Sequence, residues 1–384
     1  MNAHDTGART LTASRIVTPD GVLENGWIRL SGPVIDELGT GPAPAGATDL
    51  GDGWLVPGFV DIHCHGGGGG SFTGLEAEQT RAALAAHRSH GTTTTLASLV
   101  TAPLADLAKQ VGALHELVVD GLLDGIHLEG PFLSAARCGA HDPALLREPD
   151  EQAVRTLLKA GKGSIRMVTL APELDGAIPA VRTLAEQGVI AAIGHTDAVR
   201  EQVLPAVDAG ATVATHLFNG MRPLHHREPG PVGTLLDDER ITVELICDLV
   251  HLHPAVVGFA ARHAGAGRTV LITDAISATG AGDGTYELGK LPVTVVDGEP
   301  RLADGSLAGS TLTMDAAFRN LVHGGGLPVT AAVHAASTRP AELLGAADRV
   351  GSLRPGLAAD LVLLDDDLDL RRVMKSGVWD STGR

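Results

Sequence analysis

Eight short apolar segments, each followed by a stretch of helical periodicity, constrain this chain more than any other feature. They begin near residues 54, 92, 125, 165, 188, 211, 241 and 269, as in TTTTLASLV (92–100), IRMVTLAP (165–172) and GVIAAIGHT (188–196). Strands covered on both faces read as near-continuous apolar runs, and intervening helices join such strands in parallel. Eight repeats predict an α/β protein built on a closed, TIM-like (β/α)8 barrel, with a doubly wound open sheet as the structural alternative. The first strand, WLVPGFVDIHCH, runs into five glycines, Gly66–Gly70. Helices are expected over 75–91, 103–119, 143–160, 176–187, 198–209, 254–264 and 314–325. A long loop is expected after strand six and a hairpin-like insert after strand eight.

The chain ends read differently. Residues 10–56 and the tail break into short strands with turn punctuation, which places both ends in one small β-sandwich domain beside the barrel. The division is then 1–57 and 349–384 for the small domain and 58–348 for the barrel. Only ten of 384 residues are aromatic, so the core must be built from Ala, Val, Leu and Ile. With 29 basic and 46 acidic side chains the net charge is −17, which argues against a nucleic-acid partner. No stretch approaches the roughly 18 apolar residues of a membrane span, and the start, MNAHDTGARTLTASRIV, lacks a signal-peptide pattern. Cys64, Cys138 and Cys247 are odd in number and dispersed, which fits a reducing cytoplasm. The acidic run at 360–369 reads as an exposed edge or turn with little chemistry.

Seventeen histidines against five lysines turn attention to the strand ends, where a barrel of this kind carries its active site. Strand one ends in Asp61-Ile-His63-Cys64-His65, and strand three in His127-Leu-Glu129. Strand five ends in His195, strand six in His216 and Asn219, and strand eight in Thr273-Asp274; His251 and His253 follow strand seven. Residues i and i+2 of a strand face one way, so His63 and His65 can converge on one cation while Cys64 points away as a core thiol. With Glu129, His195 and His216 they supply the ligand types of a catalytic zinc site. The competing readings are structural: Glu129 holding the Gly-Pro turn, His195 and His216 as satisfied core histidines, His127 as a supporting or packing residue. Asp274 reads as metal ligand, general base or both. The glycine run lacks either phosphate-loop spacing and is read as letting the loop approach metal and substrate.

The segments PGFVDIHCHGGGG, GTTTTLASLVT, GIHLEGPFLS, GAHDP, IGHTDA, THLFNGM, REPGPVG, LICDLVHLHP, LITDAISATG and SLAGSTLTMD together resemble the N-acetylglucosamine-6-phosphate deacetylase family of the amidohydrolase superfamily. Strand four ends in MVTLAPE, without the bridging lysine of binuclear hydantoinases and dihydroorotases; the resemblance gives that role to Glu129. It implies that Glu129, His195 and His216 hold the principal divalent metal and that Asp274 is the general acid/base. His63 and His65 match members able to bind a second ion. Zinc is expected first, with iron(II) or another divalent ion as alternatives, one or two per subunit. His141 matches a histidine that helps polarise the substrate carbonyl. Asn219, Gly220, Arg227 and His251 match the positions that hold the sugar phosphate, Arg227 reaching in from the neighbouring subunit of a homodimer.

The activity so implied is hydrolysis of the acetamide of N-acetyl-D-glucosamine 6-phosphate, in amino-sugar catabolism and cell-wall recycling. Asp274 would take a proton from metal-activated water and return it to the departing amine. A −17 chain repels a phosphorylated sugar, so a locally basic pocket is expected from Arg227, His251 and His225. The rivals are an amidohydrolase for another N-acetylated sugar or amide, and a catalytically silent barrel acting as a scaffold. Cys138, on the loop after strand three, is read as an incidental thiol.

Overall fold

The first expected strand is two strands in two different sheets. In the computed structural model, which describes residues 8–380, Trp54–Pro57 belongs to a sheet made by the chain ends. Phe59–Asp61 is the first strand of the barrel. Gly58 between them permits the switch: a Cβ there would lie 2.2 Å from Thr93 Oγ1. An apolar run carries no mark of such a change of sheet, because both halves are buried.

The barrel strands are β1 (Phe59–Asp61), β2 (Thr92–Leu99), β3 (Gly125–Glu129), β4 (Ile165–Leu170), β5 (Ile190–Ile193), β6 (Ala211–Ala214), β7 (Thr242–Ile246) and β8 (Thr269–Ile272). Each pairs in parallel with the next in chain order. Between β8 and β1 the ring is closed by residues just past the strand ends. Asp274 N–H donates to His63 O at 2.8 Å and His65 N–H to Ala275 O at 2.8 Å. The buried Asp61 carboxylate accepts from Thr273 Oγ1 at 2.6 Å across the same seam. Burial pushes its pKa up to about 6, and the hydrogen bonds from Thr273 and the His63 N–H only partly offset that.

The outer helices are α1 (Ala77–Arg88), α2 (Leu104–Val119), α3 (Glu151–Gly161), α4 (Ala177–Glu186), α5 (Arg200–Asp208), α6 (Gly230–Asp237), α7 (Pro254–Ala264) and α8 (Met314–His323). Helix α6 stands in the segment expected to be a loop. Its PGPVG start hides it, yet proline in a first helical turn lacks only an N–H that would have no intrahelical partner. The insert after β8 is a three-stranded antiparallel sheet, Gly284–Leu288, Leu291–Val296 and Glu299–Arg301. Its Leu288, Val293 and Val295 pack on Val100 and Ile276.

The chain ends form one eight-stranded sheet, and alternation divides its faces. Leu55, Leu361 and Leu363 join Leu11, Ile28 and Leu30 in a core of their own. Their neighbours Val56, Val362 and Leu364 turn to the barrel core. The acidic run at 360–369 is therefore only partly a turn: Leu361–Leu364 is a buried interior strand of this sheet, and Asp360 is buried against Lys375 Nζ at 2.8 Å.

The glycine run serves packing. Gly66–Gly67 pairs with Gly70–Ser71 as a small hairpin pressed on α1. A Cβ on Gly70 would stand 2.2 Å from Gln79 O, and one on Gly67 would stand 2.9 Å from the His87 ring. Close contact with α1 gives Gly67, Gly68 and Gly70 a structural reason to be glycine. As composition requires, the core is aliphatic, with Phe59, Phe72, Phe132 and Phe318 as its buried aromatics.

Candidate active site

At the C-terminal ends of the strands six buried side chains meet. His63 and His65 follow β1, Glu129 ends β3, and His195, His216 and Asp274 follow β5, β6 and β8. The last three have left-handed backbone, with φ of +47°, +27° and +50°. That conformation is strained for residues with a Cβ and is kept here where it turns the side chain into the barrel mouth.

Glu129 is the hub. Its Oε1 lies 3.0 Å from His195 Nε2 and 2.9 Å from His216 Nε2, and its Oε2 lies 3.2 Å from His65 Nε2. Asp274 Oδ1 is 3.0 Å from His65 Nε2 and 3.4 Å from His63 Nε2. The outer ring nitrogens decide which atoms carry protons. His63 Nδ1 donates to Glu244 Oε2 (3.2 Å), His65 Nδ1 to Ser98 O (3.2 Å) and His195 Nδ1 to Arg137 O (2.9 Å). Once a bound cation displaces any second proton, each imidazole keeps one N–H, and these three Nε2 atoms would present lone pairs to the centre. They crowd one another: His63 and His65 Nε2 are 3.2 Å apart, and His195 and His216 Nε2 are 3.1 Å apart.

Buried lone pairs so close repel unless a proton or a metal cation lies between them. Ligands about 2.0–2.1 Å from a tetrahedral zinc stand about 3.3 Å apart, close to the spacings here. The donor set therefore fits a divalent metal, with one group formed by Glu129, His195 and His216 and another by His63, His65, Glu129 and Asp274. The field agrees. Burial opposes charging His63, yet Glu129 and Asp274 outweigh it and hold its pKa well above the usual value. Burial likewise opposes ionising Glu129, but the histidines, His63 foremost, hold its pKa well below the carboxylate range. The pocket is built for positive charge.

His141 differs from the rest. Its Nδ1 accepts the Thr101 N–H at 3.3 Å and lies 2.9 Å from Thr101 Oγ1. The ring proton of the neutral form is thus on Nε2, which points at Glu129 Oε2 from 3.4 Å. Burial lowers the pKa to about 4, against the pull of Glu129, so the ring is neutral at neutral pH. His141 turns an N–H to the site, whereas His63, His65 and His195 use their Nδ1 protons on outer partners. His127 takes a supporting place, between Ser98 Oγ (2.9 Å) and Thr169 Oγ1 (2.8 Å) and edge-on to His63.

Glu244 gave no signal in ITVELICD, where it reads as one polar residue in an apolar strand. It is fully buried on β7, and its Oε2 accepts from both His63 Nδ1 and the His216 N–H (3.1 Å). Carboxylates that orient ligating histidines commonly set metal affinity. Glu244→Gln is expected to weaken ion binding at the His63–His65 pair by about 10–100-fold, with a smaller loss at the Glu129–His195–His216 group through the His216 N–H, as read by calorimetric titration of the apoprotein.

Above this floor lies a cleft of about 230 Å3 that includes Asn219, Gly220, His251, Leu288 and Leu307. Gly220 has a second reason to be glycine: with φ +59°, a Cβ on it would lie 2.9 Å from His195 Nδ1. Gly220→Ala is expected to displace His195 and lower metal affinity about tenfold, measured as metal retained after dialysis against a weak chelator. His251 Nδ1 is 2.6 Å from Asp248 Oδ2. Arg227 is outside the cleft of its own chain, on an exposed loop where its guanidinium meets His226 at 2.8 Å. His225 is exposed on the same loop. Of the residues expected to make a basic pocket, His251 lines the cleft and Arg227 and His225 do not. Cys138 is half-buried, with its thiol pKa pushed up by burial, as suits an unreactive thiol.

Residues 54–379 match the model of the amidohydrolase family. A structure of N-acetyl-D-glucosamine-6-phosphate deacetylase from Mycobacterium smegmatis, an aspartate-to-alanine mutant in complex with N-acetyl-D-glucosamine-6-phosphate, is 48% identical, with TM-score 0.95 over 97% of this chain and 99% of that one. N-acetylgalactosamine-6-phosphate deacetylase from Escherichia coli is 38% identical over 96% of this chain and 98% of its own length. N-acetylglucosamine-6-phosphate deacetylase from Bacillus subtilis is 35% identical over 92% of each.

Proposed function

Since this chain belongs to the amidohydrolase family, we propose that it hydrolyses the acetamide of N-acetyl-D-glucosamine 6-phosphate to D-glucosamine 6-phosphate and acetate. The observation that carries this reading is the convergence of the His65, His195 and His216 Nε2 atoms on Glu129, with Asp274 beside His63 and His65 and a neutral N–H donor, His141, also directed at Glu129. A divalent cation, zinc by our reading, acidifies water and draws electrons from the carbonyl when bound. Asp274, ionised because His63 and His65 outweigh its burial, accepts the proton of the attacking water. His141 Nε2–H donates to the carbonyl oxygen as charge develops there. Asp274 then returns the proton to the amine nitrogen as the C–N bond breaks, so one carboxylate serves both half-steps.

His141 separates donor from ligand. His141→Gln keeps an N–H donor and is expected to retain more turnover than His141→Ala, both with undiminished metal content; the alanine loses about 10²–10³-fold in kcat.

Asn219, Gly220 and His251 would hold the phosphate, joined by Arg227 of a second copy in a homodimer, since Arg227 lies outside its own cleft. We assign the barrel domain to 58–348 and the small domain to 1–57 and 349–384, of which 1–7 and 381–384 lie outside the described residues. We also place the enzyme in the cytoplasm: its three cysteines are free, and no helix among the described residues is long and apolar enough to cross a membrane.

The 4-epimer is the second reading, favoured by the Escherichia coli relative. Acetate release from the 6-phosphates of N-acetylglucosamine and N-acetylgalactosamine, and from unphosphorylated N-acetylglucosamine, tests all of this with metal-replete protein. Faster release from the glucosamine ester supports the proposal. Faster release from the galactosamine ester transfers it to that epimer, and equal rates with and without phosphate remove the phosphate site. No release from any of them overturns the deacetylase reading.

A further inference from the structure

A second chamber adjoins the cleft. It holds about 330 Å3, within the range of small-molecule pockets, and Leu75, Val100, Leu145, Leu288 and Leu291 give it an aliphatic wall beside two lysines and two aspartates that also line it. Ala140, His141 and Leu288 line both spaces. The His141 ring forms part of the partition, its Nε2 toward Glu129 and its Nδ1 toward Thr101, which lines the second chamber.

The barrel fixes where this chamber lies relative to a bound sugar. Asn219 and Gly220 follow β6, and His251 follows β7. The chamber is walled by the segments after β1, β2 and β3 and by the insert after β8. In a ring of eight strands paired in chain order, β6 and β7 stand across from β2 and β3. A substrate with its phosphate on the β6–β7 rim and its carbonyl at His141 spans that diameter. A trans amide carries its acyl substituent away from the nitrogen substituent. The alkyl substituent of the acyl group therefore leaves the reaction centre on the side of the aliphatic chamber.

We propose that this chamber is an acyl subsite, and that the enzyme hydrolyses N-acylated amino-sugar phosphates whose acyl chain is longer than acetyl. The proposal rests on the deacetylase reading. The reaction is the same: the water oxygen bonds to the acyl carbon, the C–N bond breaks, and the proton passes through Asp274 to the amine. The products are a short fatty carboxylate and the amino-sugar phosphate. Each methylene that enters the chamber is expected to tighten binding about fourfold.

The test measures free-amine release from N-acetyl-, N-butyryl- and N-hexanoyl-D-glucosamine 6-phosphate by the metal-loaded enzyme. The wild type is expected to keep kcat/KM for the butyryl ester within about tenfold of the acetyl ester, with a lower KM. Leu75→Trp and Leu291→Trp fill the chamber at positions outside the cleft; Leu75 is 59% exposed, so its replacement leaves the fold intact. Each variant is expected to lose at least about tenfold on the longer esters while acetyl hydrolysis changes less than about twofold. Wild-type hydrolysis of the acetyl ester with the butyryl ester slower by more than about a hundredfold overturns the subsite and leaves the deacetylase standing. So does an equal loss on all three esters in both variants. No hydrolysis of any ester overturns the deacetylase reading, and the subsite with it.

Discussion

An Asp274→Asn variant is expected to lose between about 10² and 10⁴-fold in kcat while keeping the metal held by Glu129, His195 and His216. The amide matches the carboxylate in shape but cannot take a proton from water or give one to the leaving amine. Asp274 approaches His63 and His65 and does not touch His195 or His216. Its loss should therefore weaken an ion at the first pair and leave the Glu129 group in place. Metal analysis beside a kinetic assay separates the two roles. Turnover within about tenfold of wild type would reassign the proton transfer to another group. Loss of all metal would make Asp274 a principal ligand instead.

Glu129→Ala is expected to have the larger effect, because one carboxylate faces both candidate ligand groups. Its two oxygens meet Nε2 of His195, His216, His65 and His141 at 2.9–3.4 Å. Without it, the buried imidazoles face one another with no anion to balance a cation. Metal content should fall to background, and kcat/KM by on the order of 10³-fold or more, several kcal/mol of transition-state stabilisation. Full metal occupancy in this variant, measured by elemental analysis after gel filtration, would contradict the hub assignment.

The strand ends were legible because a barrel strand leaves little freedom: period-two alternation fixes that His63 and His65 share a face, and the topology brings successive strand ends to one mouth. Glu129, His195, His216 and Asp274 gather there in the structure as that pattern anticipates. Glu244 was missed, and Asp61 was named without a role, because a buried carboxylate in a strand is locally indistinguishable from a poorly placed polar residue. Their meaning lies in partners far along the chain, His63 at 181 positions and Thr273 at 212. Gly58, where one apolar run changes sheets, and α6, begun by prolines, escaped because periodicity reports burial and not which neighbour provides it.

The sequence by itself determined the repeat of eight, the aliphatic core, the shared face of the histidine pair and the residue types at the mouth. These depend on local spacing and composition, which the chain carries with it. Only the tertiary structure decided which Nδ1 atoms donate to outer partners, that His141 instead turns its Nε2 toward Glu129, that Arg227 stands outside its own cleft, and that a chamber with an aliphatic wall adjoins His141. Each of these is set by atoms from distant segments within a few ångströms, and such distances exist only once the barrel has closed.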